Sequence, residues 1–300
     1  MSDKRVLVAV SARALFDFEK EAKLFKPEDA ALYCAIQKQQ LDVPAAPGAA
    51  FALVQKLLAF NVRGNHHVEV AILSRNDPVT GLRVFKSAQY HGLDISRAIF
   101  TSGAAPHKYL APLGACLFLS ADAADVRAAT EAGYPAACVY PTAREVANSD
   151  ANELRIAFDG DSVLFSDEAE RIFRLMRLEN FVDHETRNAL VPLPAGPLKP
   201  FLDALHQLQQ LRASGIRVRT ALVTARSAPA HERAIRTLMD WGVNIDEAMF
   251  LGGRAKAPFL AQFAPDMFFD DHTGNCDAAA PFVATSHVPY GVNNATVVAH

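Results

Sequence analysis

The sequence predicts an α/β protein made of two related Rossmann-like units, each with three layers and a mainly parallel sheet. Three observations lead to this prediction. Short apolar segments alternate with amphipathic helical segments from Val6 onward. The two halves of the 300-residue chain are similar at an almost constant offset of 150 positions. Polar side chains follow several apolar segments, at the strand ends where open α/β sheets bind ligands.

The composition, 50% hydrophobic and 21% charged, is typical of a soluble globular protein. Thirty basic and 33 acidic residues are distributed without a long single-sign run, which argues against nucleic-acid or anionic-membrane partners. No apolar run approaches the ~18–20 residues of a membrane span, and no signal-peptide pattern is seen, so a cytoplasmic location is predicted. The four cysteines form no C-x-x-C unit and are predicted to be free, buried thiols.

The first half carries one clear helical pattern, Phe51–Phe60, which follows the turn-forming pair Pro47-Gly48. The stretch Lys20–Pro47 has the least regular pattern. Five apolar segments are predicted to be strands: Val6–Val10, Val68–Leu73, Ala98–Phe100, Cys116–Leu119 and Ala136–Tyr140.

The second half repeats this alternation, with proline near helix starts and glycine past helix ends. The predicted strands are Leu154–Phe158, Val218–Val223, Ala248–Leu251 and Met267–Phe269, with an apolar end around Val283–Val288. The predicted helices lie around Glu168–Met176, over Leu198–Leu211, from about Pro229 to Trp241, and near Lys256–Phe263.

Similarity between the halves predicts a duplicated domain, with boundaries at 1–150 and 151–300. The alternative is that unrelated α/β units share glycine and aliphatic residues at similar places. The identical pairs are Gly92/Gly242, Ile95/Ile245, Ala98/Ala248, Phe100/Phe250, Gly103/Gly253, Ala105/Ala255, Leu110/Leu260, Ala111/Ala261 and Phe118/Phe268.

Two carboxylates, Asp159 and Asp161, follow the strand Leu154–Phe158, with the small Gly160 between them. Side-chain alternation puts both on one side of the backbone, and Gly160 lets another group approach closely. Such a pair is costly unless a cation lies between the carboxylates, and hard oxygen ligands suit Mg²⁺, which often accompanies a phosphate substrate. A solvated turn is the alternative for an isolated D-x-D.

Thr224 lies at the carboxyl end of the strand Val218–Val223. Its hydroxyl and the following amides, of Ala225 and Arg226, are candidates to hold a phosphate oxygen. A simple capping role for Thr224 is the alternative.

Lys256 and the pair Asp270-Asp271 complete the set of candidate residues. Lys256 follows Gly252-Gly253 and can neutralise the charge of a nucleophile and a phosphate. The two aspartates follow the apolar Met267–Phe269 and would bring a third carboxylate to the same sheet edge for Mg²⁺. Separately, a solvated lysine and an acidic turn are ordinary features, but their order along the chain is specific.

In this order the motifs resemble those of the haloacid-dehalogenase-like phosphohydrolases, and more narrowly the cytosolic 5′-nucleotidase I family. The resemblance covers nearly the whole chain. It rests on Ala157-Phe-Asp-Gly-Asp-Ser-Val-Leu-Phe-Ser-Asp-Glu168, Gly196-Pro-Leu-Lys-Pro-Phe-Leu202, Leu222-Val-Thr-Ala-Arg-Ser-Ala228, Phe268-Phe-Asp-Asp271 and His287-Val-Pro-Tyr-Gly291, with Val8-Ala-Val-Ser-Ala-Arg-Ala-Leu-Phe16 and Leu119-Ser-Ala-Asp-Ala123 in the first half.

The resemblance implies an enzyme that hydrolyses AMP-like nucleoside 5′-monophosphates. Asp159 would be the nucleophile that becomes an aspartyl-phosphate, and Asp161 the general acid and base. Mg²⁺ would be held by the Asp159 carboxylate, the Asp161 carbonyl and Asp270, with Asp271 in support, while Thr224 and Lys256 bind phosphate.

Several properties remain open from the sequence. Five residues are near enough to the motifs to contact nucleoside or phosphate: Phe165, Ser166, Asp167, Lys199 and Arg226. Phe165 suits the core equally well, and Arg226 suits an ion pair. A homo-oligomer is expected, and a regulatory nucleotide is left open. Two other functions compete: a phosphatase for another small phosphate ester, and a nucleotide-binding regulator without turnover.

The first half is predicted to be a degenerate copy that binds no Mg²⁺. Ser11 and Arg13 stand where the second half has Asp159 and Asp161, and Ser120-Ala121 stand where it has Asp270-Asp271. Ser74 lies opposite Thr224, and Lys108 lies two positions from the Lys256 register. This half is expected either to bind a nucleotide phosphate through Arg13 and hydroxyls or to serve only as a scaffold with Arg13 in an ion pair.

Overall fold

A computed structural model describes residues 5–18, 30–62, 65–141, 150–175, 178–211 and 215–295. The strands along the described chain are β1 Val6–Val10, β2 Phe16–Asp17, β3 Ala46–Pro47, β4 Val68–Ser74, β5 Arg97–Phe100, β6 Leu117–Ser120, β7 Ala136–Val139, β8 Glu153–Phe158, β9 Arg217–Thr224, β10 Glu247–Phe250, β11 Met267–Asp270 and β12 Thr285–His287. The two short strands β2 and β3 pair with each other, and the other ten form one sheet.

The sheet has the strand order β10-β9-β8-β11-β12-β7-β6-β1-β4-β5. Its neighbours are parallel except for β12 and β7, which pair antiparallel where the two halves meet. From this junction outward, both halves have the same order, with the first strand of each half in the middle. The α/β class with a mainly parallel sheet is therefore confirmed, and the two predicted units share a continuous sheet. Their origin by duplication stays a prediction.

The central strands of the sheet are largely buried on both faces, which explains why β1 is a continuous apolar run and why β8 and β9 are mostly apolar toward their carboxyl ends. Val8 and Val10 of β1 belong to a large hydrophobic cluster that extends through both halves, whereas Ala9 between them belongs to a smaller cluster on the opposite face. In β8, Phe158 joins the large cluster and Ala157 joins a second small one. This alternation produces the three layers that the sequence predicts.

The helices are α1 Ala12–Leu15, α2 Ala30–Gln39, α3 Phe51–Leu58, α4 Pro78–Tyr90, α5 Leu110–Leu113, α6 Ala123–Glu131, α7 Glu168–Leu175, α8 Leu178–Arg187, α9 Lys199–Gln209, α10 His231–Asp240, α11 Ala257–Phe263 and α12 Thr273–Ala279. Helix α4 was not predicted although its start signal is present. The Asp77 carboxylate accepts hydrogen bonds from the amides of Val79 and Thr80, and Pro78 occupies the first helical position.

Buried polar contacts join the two halves in addition to the shared sheet. Lys56 in α3 lies 2.8 Å from Asp266 and donates a hydrogen bond of 2.6 Å to the carbonyl of Glu153. Arg127 in α6 donates to the carbonyl of Asn294 at 3.1 Å. The halves are thus connected on both sides of the β7–β12 junction.

Several smaller predictions can be compared with the described residues. Cys276 is buried, Cys116 and Cys138 are partly exposed, and none of these three cysteines is in a disulfide. The side chain of Cys34 lies outside the described part. Much of the irregular stretch Lys20–Pro47 also lies outside it. Among the helices that are described, none has both the length and the apolar character needed to cross a membrane.

Candidate active site

The site lies at the carboxyl ends of three adjacent parallel strands, β9, β8 and β11. Phe158 at the end of β8 is in register with Leu222 of β9 and Phe269 of β11. Asp159 directly follows Phe158, Asp270 directly follows Phe269, and Thr224 comes two residues after Leu222. All three residues therefore reach the same edge of the sheet. The strand-end prediction for these residues holds because a parallel register aligns the strand ends.

Three buried carboxylates, of Asp159, Asp270 and Asp271, form one acidic cluster. One oxygen from each lies within 4.8 Å of the others. Asp270 is fully buried, and its Oδ1 accepts hydrogen bonds from the backbone amide of His272 at 2.8 Å and from the Asn275 side chain at 3.1 Å. The cluster is a candidate cation site.

Lys256, the residue before α11, places its ammonium group between two of these carboxylates. Its Nζ lies 2.7 Å from Oδ1 of Asp159 and 2.6 Å from Oδ2 of Asp270. Burial alone would lower the lysine pKa, but the two carboxylates outweigh this effect and the pKa is raised. Lys256 is therefore a permanent positive charge beside Asp159.

One ammonium does not neutralise three buried carboxylates. Burial raises the pKa of Asp159 to about 7, with Lys256 opposing the rise and Asp270 adding to it. Burial likewise raises the pKa of Asp271 to about 9, with further contributions from Asp159, Glu170 and Asp270. In addition, Oδ2 of Asp271 is buried without a hydrogen-bond partner. These features fit a divalent cation, which would supply the missing positive charge and a partner for the orphaned oxygen.

Asp161 makes a different set of contacts from Asp159. Arg226 Nε donates to Asp161 Oδ2, and Arg226 Nη2 donates to Oδ1, both at 2.8 Å. This forked ion pair is the strongest geometry available to an arginine and a carboxylate. The predicted site residue Arg226 therefore contacts Asp161 directly, and its predicted binding of substrate stays a prediction.

Gly160 allows the β8 and β9 ends to approach closely, as the sequence predicts. A Cβ at this position would lie 3.2 Å from Oγ1 of Thr224. The same Oγ1 accepts a hydrogen bond of 3.2 Å from the amide of Arg226. Thr224 is thus buried beside the D-x-D turn and also caps its own loop, while the phosphate-binding roles of Thr224 and Ala225 stay predictions.

Several residues that were not predicted from the sequence to belong to the site contact its residues and support them. Glu185 in α8 forms ion pairs with Arg226 at 2.5 Å and with Arg233 at 2.9 Å. Ser162, with a φ of +62°, donates to Glu170 at 3.1 Å. Gly291 packs on Ser162 so closely that a Cβ would lie 2.8 Å from its hydroxyl oxygen. The sequence motif His287–Gly291 could have indicated the contact of Gly291 with Ser162. No sequence pattern indicated the contact of Glu185 with Arg226.

The loop after β12 holds the backbone of the acidic cluster. Asn294 donates from its side-chain amide to the carbonyl of Asp271 at 2.9 Å, and Nε2 of His287 lies 2.9 Å from the same oxygen. Burial lowers the His287 pKa, opposed by its contacts with Asp271 and Asn294. Because Arg127 of the first half binds the Asn294 carbonyl, this half supports the loop that contacts Asp271.

The corresponding edge of the first half also carries polar residues. The amide of Ser11 donates to the carbonyl of Leu119 at 2.8 Å, just as the amide of Asp159 donates to that of Phe269 at 2.8 Å. Arg13 forms an ion pair with Asp122 at 3.1 Å. An ion pair of Arg13 is expected if the first half serves only as a scaffold. Binding of a nucleotide phosphate by this half stays a prediction.

Four further candidates, two in the first half and two near the predicted pocket, have ordinary partners. Ser74 donates to Asn76 at 2.7 Å, and the Lys108 ammonium lies 5.2 Å from the ring centroid of Tyr109. Lys199 forms an ion pair with Asp203 at 2.7 Å. Phe165 is fully buried and packs on Trp241, so it belongs to the core.

A Rossmann-like α/β sheet whose strand ends carry a D-x-D turn, a threonine, a lysine and an acidic pair is the arrangement of the haloacid-dehalogenase-like class. Within this class, the chain belongs to the 5′-nucleotidase family, whose model matches residues 1–295. It is 36% identical over 287 residues to human (Homo sapiens) cytosolic 5′-nucleotidase 1B, covering 91% of this chain and 47% of that protein. The chain thus spans about half the length of this curated relative. No solved structure matches the chain significantly.

Proposed function

We propose that this chain is a Mg²⁺-dependent 5′-nucleotidase that hydrolyses AMP-like nucleoside 5′-monophosphates to nucleoside and phosphate. Membership of the 5′-nucleotidase family supports the substrate class. The observation that carries the proposal is the contact of Asp159 Oδ1 with Lys256 at 2.7 Å, inside a cluster of buried carboxylates. This contact supports Asp159 as the nucleophile and Lys256 as a fixed cation beside the phosphoryl group.

In the first step, an Asp159 oxygen attacks phosphorus and the bond from phosphorus to the ribose 5′-oxygen breaks. The carboxyl group of Asp161 gives its proton to that oxygen, so the nucleoside leaves as a neutral alcohol. In the second step, water attacks the aspartyl-phosphate and gives a proton to the Asp161 carboxylate. The bond between Asp159 and phosphorus then breaks, and phosphate is released.

Lys256 and Thr224 hold the phosphoryl oxygens in this proposal. Most of the rate enhancement of a phosphoryl transfer comes from positioning and from fixed positive charge. Asp159, Asp270 and the carbonyl of Asp161 would hold Mg²⁺, with Asp271 in support. When bound, Mg²⁺ supplies positive charge to the transferring group.

The first half has a structural role in this proposal, as a degenerate copy that completes the sheet and supports the site. The matching strand order and the contact from Arg127 to Asn294 support this role. A regulatory nucleotide on this half and assembly into a homo-oligomer remain expectations from the family resemblance.

The test is phosphate release from AMP, IMP, CMP, UMP, their deoxy forms and a set of sugar phosphates, with Mg²⁺ or with EDTA. We expect turnover of nucleoside monophosphates that depends on Mg²⁺ and is absent in the Asp159→Asn variant. Faster turnover of sugar phosphates than of all nucleotides would contradict the substrate class. Nucleotide binding without any phosphate release would support a regulator and contradict the enzyme.

A further inference from the structure

Helices α7 and α8 form a helical pair that lies between the D-x-D turn and β9 along the chain. One carboxylate of this pair, that of Glu185 in α8, is buried in the interior of the protein. The side chain of Glu185 is fully buried, and both of its oxygens are in ion pairs. Oε2 accepts from Arg226 at 2.5 Å and Oε1 accepts from Arg233 at 2.9 Å. Arg233 also pairs with Glu168 of α7 at 2.9 Å.

Arg226 connects this carboxylate to the D-x-D turn. Its Nη1 donates to Glu185 and to the carbonyl of Ala230, while Nε and Nη2 form the fork to Asp161. Because the guanidinium is planar and rigid, contacts on one edge fix the direction of the other edge. Glu185, together with the carbonyl of Ala230, therefore fixes the direction in which the fork points.

Removal of Glu185 would leave two buried guanidinium groups without the carboxylate that they share. An arginine in a protein does not lose its proton, so Arg226 would have to find other acceptors or move toward solvent. Asp161 is less enclosed than Arg226, with 18% of its side chain exposed against 2%. Its carboxylate is held by the fork rather than by surrounding packing.

We propose that Glu185 is a positioning residue for the reaction, which acts through Arg226 to hold the Asp161 carboxylate in place for proton transfer. This inference rests on the proposed function, because it assigns Asp161 the role of general acid and base. In this proposal the helical pair contributes to catalysis. A displacement of α8 would move Glu185, and the contact that holds the Asp161 carboxylate through Arg226 would be lost.

The test is a double-mutant cycle between position 185 and position 161. Glu185→Gln keeps the size of the side chain and removes its charge, and Arg226→Lys keeps the charge and removes the fork. Each is made alone and together with Asp161→Asn, and kcat and KM are measured with AMP and with p-nitrophenyl phosphate. Arg236→Gln is the matched control, since Arg236 pairs with Glu232 at the surface of α10.

We expect Glu185→Gln to lower kcat for AMP by about ten- to a hundredfold, which is up to the lower end of the roughly 10²–10⁴-fold that general acid and base catalysis contributes. The loss should be smaller for p-nitrophenyl phosphate, whose leaving group needs less protonation, and KM should change little. In the Asp161→Asn background, neither Glu185→Gln nor Arg226→Lys should cause a further loss. Arg236→Gln should match the wild type.

Equal losses in both backgrounds, or equal losses for both substrates, would overturn the positioning role. If Glu185→Gln fails to fold, Arg226→Lys tests the proposal by the same criteria. This variant keeps a positive charge opposite the carboxylates of Glu185 and Asp161. Wild-type activity in the same assay separates the two proposals. An inactive wild type overturns the proposed function and this inference with it, whereas an active wild type with additive losses overturns the inference alone.

Discussion

The ammonium group of Lys256 lies 2.7 Å from Oδ1 of Asp159, in a part of the site from which water is largely excluded. The same ammonium contacts Asp270 at 2.6 Å. Lys256 thus provides one positive charge for the three carboxylates of the acidic cluster, and a divalent cation would balance the remaining charge.

Replacement of the nucleophile should abolish turnover without unfolding the protein. Asp159→Asn puts a weakly nucleophilic amide in place of the carboxylate, while β8 beneath it is unchanged. We expect a loss of more than about a hundredfold in kcat, or ~3 kcal/mol in the barrier, measured as phosphate release from AMP. Circular dichroism serves as the folding control. A variant that keeps more than about a hundredth of the activity would exclude Asp159 as the nucleophile.

Removal of the lysine charge should destabilise the fold. Lys256→Met leaves buried carboxylates without their cation, and breaking a buried pair typically costs about 3–5 kcal/mol. Urea unfolding in EDTA measures this loss, and added Mg²⁺ should restore part of it. Lys86→Met is the matched control: Lys86 pairs with Asp42 at the surface, where a loss of about 0–1 kcal/mol is expected. Equal losses for the two variants would show that Lys256 does not compensate buried charge.

Asp161→Asn should slow the reaction in a way that depends on the leaving group. An amide cannot protonate the ribose 5′-oxygen, so the loss with AMP should exceed the loss with an aryl phosphate. The measurement is a series of phosphate esters whose leaving groups differ in pKa. The same proportional loss across this series would be inconsistent with an acid role for Asp161.

The two aspartates after β11 should differ in their effect on the metal. Asp270→Asn is expected to raise the Mg²⁺ concentration for half-maximal activity by at least about tenfold, in line with the cost of altering metal sites. Titration calorimetry with Mg²⁺ alone provides a readout independent of activity. If only Asp271→Asn weakened Mg²⁺ binding, the ligand role would move to Asp271, whose Oδ2 has no hydrogen-bond partner.

The metal-free protein should lose stability as the pH rises. Burial raises the pKa of Asp271 from its ordinary value of 3.8 to about 9, so the folded state binds this proton more tightly than the unfolded state does. The resulting stabilisation is complete below about pH 4 and is lost progressively up to about pH 9. Asp159, with a pKa raised to about 7, adds to the same trend.

Asp271→Asn should therefore raise the melting temperature in EDTA at pH 8 and flatten its decrease with pH. Thermal unfolding from pH 5 to 9, with and without Mg²⁺, measures both effects. Mg²⁺ should stabilise the wild type more than the variant, because the cation removes the repulsion that the variant already lacks. A variant with the same pH dependence as the wild type would mean that Asp271 does not titrate in this range.

Strand positions could be predicted to within one or two residues because the sheet is buried on both faces. Strand β1 is therefore an uninterrupted apolar run, β8 is apolar over its last three residues, and the residue that follows each run lies at the sheet edge. The helices were harder to predict. Helix α8, with the sequence Leu-Glu-Asn-Phe-Val-Asp-His-Glu-Thr-Arg, is rich in charged residues and has no long apolar stripe. Its most important contact is made by a buried glutamate, which no periodicity reveals.

The sequence by itself determined which carboxylates, hydroxyl and lysine stand at strand ends, because a strand and the residue after it are joined covalently and a parallel sheet aligns their ends. Only the tertiary structure decided which of these groups meet. Lys256 contacts Asp159 across 97 positions, and Arg226 contacts Glu185 across 41. It also decided that β7 and β12 join the two halves in one sheet. Strand-edge pairing uses backbone hydrogen bonds that every sequence offers, and ion pairs depend on distances in space, so neither leaves a repeating pattern along the chain.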